Sequence, residues 1–264
     1  MRTYLRKKEY PWKEVYQDAD FKKLCKKIRV MLANPSMLYS YYPIARIFKR
    51  NNLRFNKSIE LGAGTGQFSL ILKKLGFIKE VYLVDIEKGA LEMAKNLFKE
   101  FDEECNIIHS DLLDLKEVKE YKNQSFDVCF SGGLIEHFIG HEQEEVIKTH
   151  LDIAKEVILQ FPYDSKTYWA MRNIITKTKG KWPFGYEYPL SRRDTFKVMN
   201  NFAGKKWRIK DEDYHYLLPI LLSKTPFNVL NIPLRCYPFL RLFPMDYVIY
   251  CTQSKYKMLS DFRD

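Results

Sequence analysis

Several features are scarce in this chain of 264 residues, and each scarcity removes a class of protein. There are only five cysteines, at 25, 105, 129, 236 and 251, with no C-x-x-C pair. An odd, scattered set excludes a disulfide framework and fits reduced thiols in a cytoplasmic protein. No uninterrupted apolar run is long enough to cross a bilayer. No apolar stretch follows the basic N-terminal residues, as a secretory leader would require. Acidic residues are in deficit, 33 against 44 Lys and Arg, for a net charge of +11. The excess is local: residues 1–29 carry ten basic side chains against four acidic, and residues 166–210 carry twelve against two. An anionic partner would meet these two segments, with ordinary solvated surface as the alternative. The chain does have apolar material, 46% hydrophobic and 15% aromatic, enough for one α/β domain with a sizeable core.

Three of the eleven glycines fall at alternate positions in the stretch Ser58 to Gly66, reading S-I-E-L-G-A-G-T-G. A β-prone residue leads into an acid and then the glycines. Phe68, Ile71, Leu72 and Leu75 follow on one helical face, with Lys73 and Lys74 opposite and Gly76 at the end. A strand, a tight turn and a helix are expected, with unpaired N–H groups at the helix start. A dinucleotide fingerprint would need its third glycine at position 67, which is Gln67, and a carboxylate at Glu60 would repel a pyrophosphate. The same carboxylate suits a cationic amino group.

More strands follow. Val81–Val84 is apolar throughout, as a buried parallel strand should be, and ends in Asp85. An acid about twenty residues beyond such a turn can accept both ribose hydroxyls, or it can cap the helix starting near Glu87. Ile86 is then near the adenine face. Asn106–His109 leads to Ser110-Asp111-Leu112, and Phe126–Phe130 leads to Ser131-Gly132-Gly133-Leu134-Ile135-Glu136-His137-Phe138. Val157–Phe161 is stopped by Pro162. Helical patterns at 36–50, after Glu87 and at about 142–154 complete a strand–helix alternation, which predicts a doubly wound sheet.

The run E-L-G-A-G-T-G resembles motif I of the class I S-adenosylmethionine (SAM) methyltransferases. The run F-D-V-C-F-S-G-G-L-I-E-H-F resembles their motif IV and its following loop, in the type 11/12-like branch that includes many small-molecule enzymes. The resemblance covers roughly residues 55–163. It implies a Rossmann-like sheet, mostly parallel with an antiparallel final strand, plus N-terminal helices and a C-terminal insertion. The chain divides into a helical cap over 1–52, a SAM-binding core over 53–163 and substrate-side loops with the last strands over 164–264.

The implied cosubstrate is SAM. Glu60, Gly62, Ala63, Gly64 and Gly66 would hold its methionine end, and Tyr41, Tyr42 or Arg46 would reach its carboxylate. Asp85 and Ile86 would meet the ribose and adenine, Asp111 the adenine amino group, and Leu112 the ring. Ser131 and the glycines after it would sit beside the methyl group. His137 is the candidate general base; a structural helix start at Glu136-His137 is the alternative. His137 and His141 have metal-ligand spacing, but no further residue completes a site, so no metal is expected. The basic and aromatic loop at 164–190 supplies candidate substrate contacts at Tyr186 and Glu187, with Glu136.

No N/D-P-P-Y tetrapeptide follows the fourth strand, which points away from amino-adenine or glutamine targets. The acceptor is read as a small molecule, lipid-like or anionic. The rivals are an RNA or protein methyltransferase using residues 166–210 and a non-catalytic SAM-binding partner subunit. The insertion at 214–245, with prolines at 219, 226, 233, 238 and 244, would lie on a membrane interface, cover the cleft, form a dimer face or pack on the sheet.

Overall fold

The computed structural model describes residues 20–115, 118, 124–182, 184–203, 207–216 and 244–253. The basic stretch before residue 20 and the proline-rich insertion over 217–243 lie outside them, and with them the roles read for those segments.

Seven strands form one sheet: β1 (Phe55–Leu61), β2 (Ile78–Asp85), β3 (Asn106–His109), β4 (Phe126–Gly132), β5 (Ala154–Pro162), β6 (Trp207–Tyr216) and β7 (Pro244–Gln253). Their order is β3-β2-β1-β4-β5-β7-β6. The first five neighbours pair in parallel; β7 runs antiparallel between β5 and β6. The expected Rossmann-like sheet with an antiparallel end is therefore present. Strand order reverses between β1 and β4, and in open α/β sheets ligands bind at the carboxyl ends of the strands flanking such a point.

The central strands are apolar on both faces because both faces are covered. Val81, Leu83, Val128, Phe130 and Ile158 contribute to one core. Their alternates Tyr82, Val84, Cys129, Val157 and Leu159 contribute to the other. The first core also takes α1 (Phe21–Ala33), α2 (Pro35–Tyr41), α3 (Pro43–Arg50), α4 (Gln67–Lys74) and α5 (Lys88–Glu100). The second takes α6 (His141–Ile153) through Val146, Ile147 and Leu151. Beyond β5 come α7 (Lys166–Lys179) and α8 (Arg192–Ala203). Phe48 is fully buried and meets Phe55, Phe77 and Phe130 at ring separations of 5.6–6.5 Å. Truncating such a residue to alanine typically costs about 3–5 kcal/mol.

The helix expected over 36–50 is two. Pro43 disfavours helical backbone at Tyr42, so α2 stops there and α3 starts with the proline at its first position. Asn34 caps α2 by accepting the Met37 N–H at 3.1 Å. Ser191 caps α8: its hydroxyl accepts the Asp194 N–H at 3.1 Å. Glu136 and His137, expected in the first turn of a helix, instead form a separate 3₁₀ turn, Ile135–His137. Phe138 is extended after it, so α6 starts only at His141.

Candidate active site

The turn after β1 is built around two acids. Glu60 is almost fully buried, and its Oε2 accepts the Ser69 hydroxyl at 2.6 Å and the Ser69 N–H at 3.2 Å. This ties the first turns of α4 to the strand. Burial pushes the Glu60 carboxyl up to about 8, against the pull of the two Ser69 bonds, and the Asp85 charge adds to the rise. Gly66 precedes α4 at φ +67°, and a Cβ there would lie 2.7 Å from Leu83 Cδ1. A Cβ at Gly62 would lie 2.5 Å from Leu134 Cδ1. Glycine is needed at both positions. Ala63 is buried and donates its N–H to Val84 O at 2.9 Å.

Asp85 holds the next loop. Its Oδ2 accepts the Gly64 N–H at 2.7 Å, and its Oδ1 accepts the Glu87 N–H at 2.9 Å. Each oxygen keeps a further lone pair, so both ribose hydroxyls can be accepted without breaking the loop. Burial pushes this carboxyl upward as well. The cap of α5 is Glu87, not Asp85. Ser110 N–H donates to Asp85 O at 3.1 Å, so the tips of β2 and β3 are joined. His109 Nε2 bonds the Ile86 carbonyl at 3.0 Å, leaving the Ile86 side chain exposed. Asp111 Oδ1 accepts the Leu113 N–H at 3.0 Å, while Leu112 turns into the core that includes Leu115 and Phe126.

Of the three residues expected to reach a carboxylate, Tyr42 is at the turn: its hydroxyl lies 3.2 Å from Gln67 Oε1, at the start of α4. Arg46 is committed elsewhere. It holds Asp213 at 2.9 and 3.2 Å and the Tyr214 carbonyl at 2.6 Å, clasping α3 to β6. Tyr41 lies under Lys27 Nζ, 4.8 Å away. A buried acid for an ammonium, main chain left open by glycine and a two-oxygen acceptor for a ribose fit SAM.

The tips of β4 and β5 are different. Ser131 Oγ, Glu136 Oε2 and Gln160 Oε1 are buried with no hydrogen-bond partner among the described residues. The loop at 181–190 is clipped over them. Tyr188 N–H donates to Glu136 O at 2.8 Å, and His137 Nδ1 lies 3.2 Å from the Tyr186 carbonyl. A carbonyl only accepts, so that ring nitrogen carries the proton. Glu187 is buried, and its Oε2 accepts the Tyr168 hydroxyl at 2.6 Å and the Trp182 N–H at 2.7 Å. Burial drives the Glu136 carboxyl well up, and the Glu187 and Asp246 charges push it further. Burial likewise pulls the His137 imidazole down to about 4.

Glu136, His137, the main chain of Tyr186 and Glu187 are thus brought together. His141 stands exposed on α6, within 4.0 Å of Glu144 and Glu145. Sequence reasoning missed Tyr168, Trp182, Gln160 and Asp246, the last two joined at 3.2 Å. The one available sign was Gln160, a polar residue inside an apolar strand. A separate hollow of about 1080 Å³, lined by Lys73, Lys79, Lys95 and Cys105, opens where β2 and β3 begin, the opposite edge of the sheet.

Residues 59–156 match the family model described as a methyltransferase domain. No curated protein matches the sequence. Among solved structures, magnesium protoporphyrin IX methyltransferase from Synechocystis PCC 6803 with bound S-adenosylhomocysteine is similar at 18% identity and TM-score 0.56, over 92% of this chain and 93% of that one. The SAM-bound form of that protein is similar at 16% identity and TM-score 0.54, over 92% and 89%. A SAM-dependent methyltransferase from Clostridium acetobutylicum ATCC 824 is similar at 14% identity and TM-score 0.52, over 92% and 95%. These likenesses are of fold.

Proposed function

We propose that this chain, whose residues 59–156 match a methyltransferase domain, is a class I SAM-dependent methyltransferase and that it methylates a small molecule with a lipid-like, amphiphilic body. The observation that carries this reading is a rim of exposed apolar side chains on the loop, on α7 and after the 3₁₀ turn. Phe184, Tyr186 and Tyr188 on the clipped loop, Trp169 and Ile174 on α7, and Ile139 after the 3₁₀ turn all stand exposed. Tyr168, Trp182 and Phe184 stack edge to face at 5.4–6.0 Å, so the rim is held by packing rather than left loose. Apolar surface gathered at the mouth of a cleft marks a binding site for an apolar body.

SAM supplies the activated methyl group when bound. Glu60 and the glycine turn hold its methionine end, and Asp85 and Asp111 orient the nucleoside. Ser131 and the 3₁₀ turn border the acceptor. With its conjugate acid near 4, His137 is neutral at pH 7 but a weak proton acceptor. Alignment of the two reactants then carries most of the acceleration.

The test compares extracts of cells with and without the protein by mass spectrometry, separated into lipid and aqueous fractions. An ion heavier by one CH₂ in the lipid fraction, dependent on the protein, is the expected result. A shift found only on RNA or protein overturns it.

A further inference from the structure

We infer that Glu136, His137 and Glu187 form a binding site for one divalent cation, of the hard-to-borderline kind represented by Mn²⁺. A carboxylate or ring-nitrogen atom from each of the three lies within 4.8 Å of the others. Three ligand atoms spread evenly around one cation at bonds of about 2.1 Å lie about 3.6 Å apart, so the group must draw in by at most about 1.2 Å, within the reach of side-chain rotation. Two carboxylates and one imidazole suit Mn²⁺ better than a soft thiophilic ion.

Three observations separate a site from a chance cluster. Glu136 is 1% exposed, yet its Oε2 has no hydrogen-bond partner among the described residues. A carboxylate oxygen taken from water and left unbonded is costly unless something cationic meets it. Second, the supporting bonds are those that orient ligands. Tyr168 and Trp182 both donate to Glu187 Oε2, and the Tyr186 carbonyl accepts a hydrogen bond from His137 Nδ1. The Gly133 carbonyl also bears on the ring. Third, the charge is lopsided. Asp246 bears on both glutamates, while Arg172, which bonds the Glu187 carbonyl at 3.1 Å, offsets the charge of Glu187 and is not among the groups that act on Glu136. A bound ammonium would answer the charge but would leave the oriented imidazole without a role.

The binding is independent of the proposed function; its consequence rests on that reading. A cation here would turn an acid-lined mouth into one that accepts an oxygen donor on the acceptor.

The test uses the full chain with Mn²⁺ alone. Paramagnetic resonance of free Mn²⁺ should show uptake of one ion per chain, and Glu136→Gln should lower the affinity at least tenfold. Melting curves check that the near-isosteric variant folds. Wild-type protein supplies a second reading: Mn²⁺ should broaden the His137 ring signals before those of His109 and His150. No stoichiometric uptake overturns the inference. So does uptake that survives Glu136→Gln, or broadening confined to His141 beside Glu144 and Glu145. Calorimetry with SAM on the same sample reads the cosubstrate end separately, so the two readings fail independently.

Discussion

Two ends of one sheet edge hold acids in opposite ways. At the tips of β1 and β2, Glu60 and Asp85 are held by N–H and hydroxyl donors 9 and 21 residues away. At the tips of β4 and β5, the imidazole of His137 is held by a carbonyl 49 residues away, and Gln160 meets Asp246 across 86. Glu136 Oε2 there has no hydrogen-bond partner among the described residues. The first end is complete within one strand–helix–strand unit, so the acids are preorganised by local structure before any ligand arrives. The second end is assembled from distant pieces and left unsatisfied, so its chemistry is open to whatever it binds.

The largest effect expected from this contrast is on Asp85. Asp85→Ala removes an acceptor of two main-chain bonds and of the ribose, each charged bond contributing about 1.5–3 kcal/mol. SAM affinity should fall about a hundredfold or more by calorimetry, while Mn²⁺ uptake at Glu136 stays as in wild type. Loss of both would mean that the two ends are one cooperative site.

Gly66→Ala forces a side chain into φ +67° and against Leu83. It should lower stability to urea unfolding by about 1–2 kcal/mol.

Glu60→Gln should weaken SAM binding about tenfold without lowering the melting temperature of the ligand-free protein. The sign of the pH effect follows from burial. The folded carboxyl titrates near 8 and the unfolded one near 4.5, so between these values the folded state holds a proton that the unfolded state has lost. Ligand-free stability should therefore fall as pH rises from about 5 to 8. In Glu60→Gln that slope should flatten, as pH-dependent melting would show.

The smallest effect is expected at Trp182→Phe, which deletes one donor to Glu187 Oε2. KM for the acceptor should rise about fivefold, equivalent to about 1 kcal/mol, with SAM affinity unchanged. A change in SAM affinity instead would erase the distinction between the ends.

Much of this was legible before folding. Apolar strands, helical periodicity and glycine punctuation are local properties, so β1 to β5 could be read directly, while two of the helical readings were broken up by the structure. Pro43 divided one expected helix because proline acts on the residue before it. The final pair, β6 and β7, was expected as an antiparallel end, and it is. Arg46 was misread because its partner Asp213 lies 167 residues away.

The sequence by itself determined the alternation of strands and helices, the glycine turn and the acids at the strand tips, because each follows from residues a few positions apart. Only the tertiary structure decided that Glu187 and Asp246 lie near Glu136 and that Tyr168 and Trp182 hold Glu187. Those residues share no periodicity or spacing; what joins them is the return of the chain across the sheet. It also decided that one glutamate oxygen has no hydrogen-bond partner among the described residues, since satisfaction of a buried polar atom depends on every neighbour that folding brings near it.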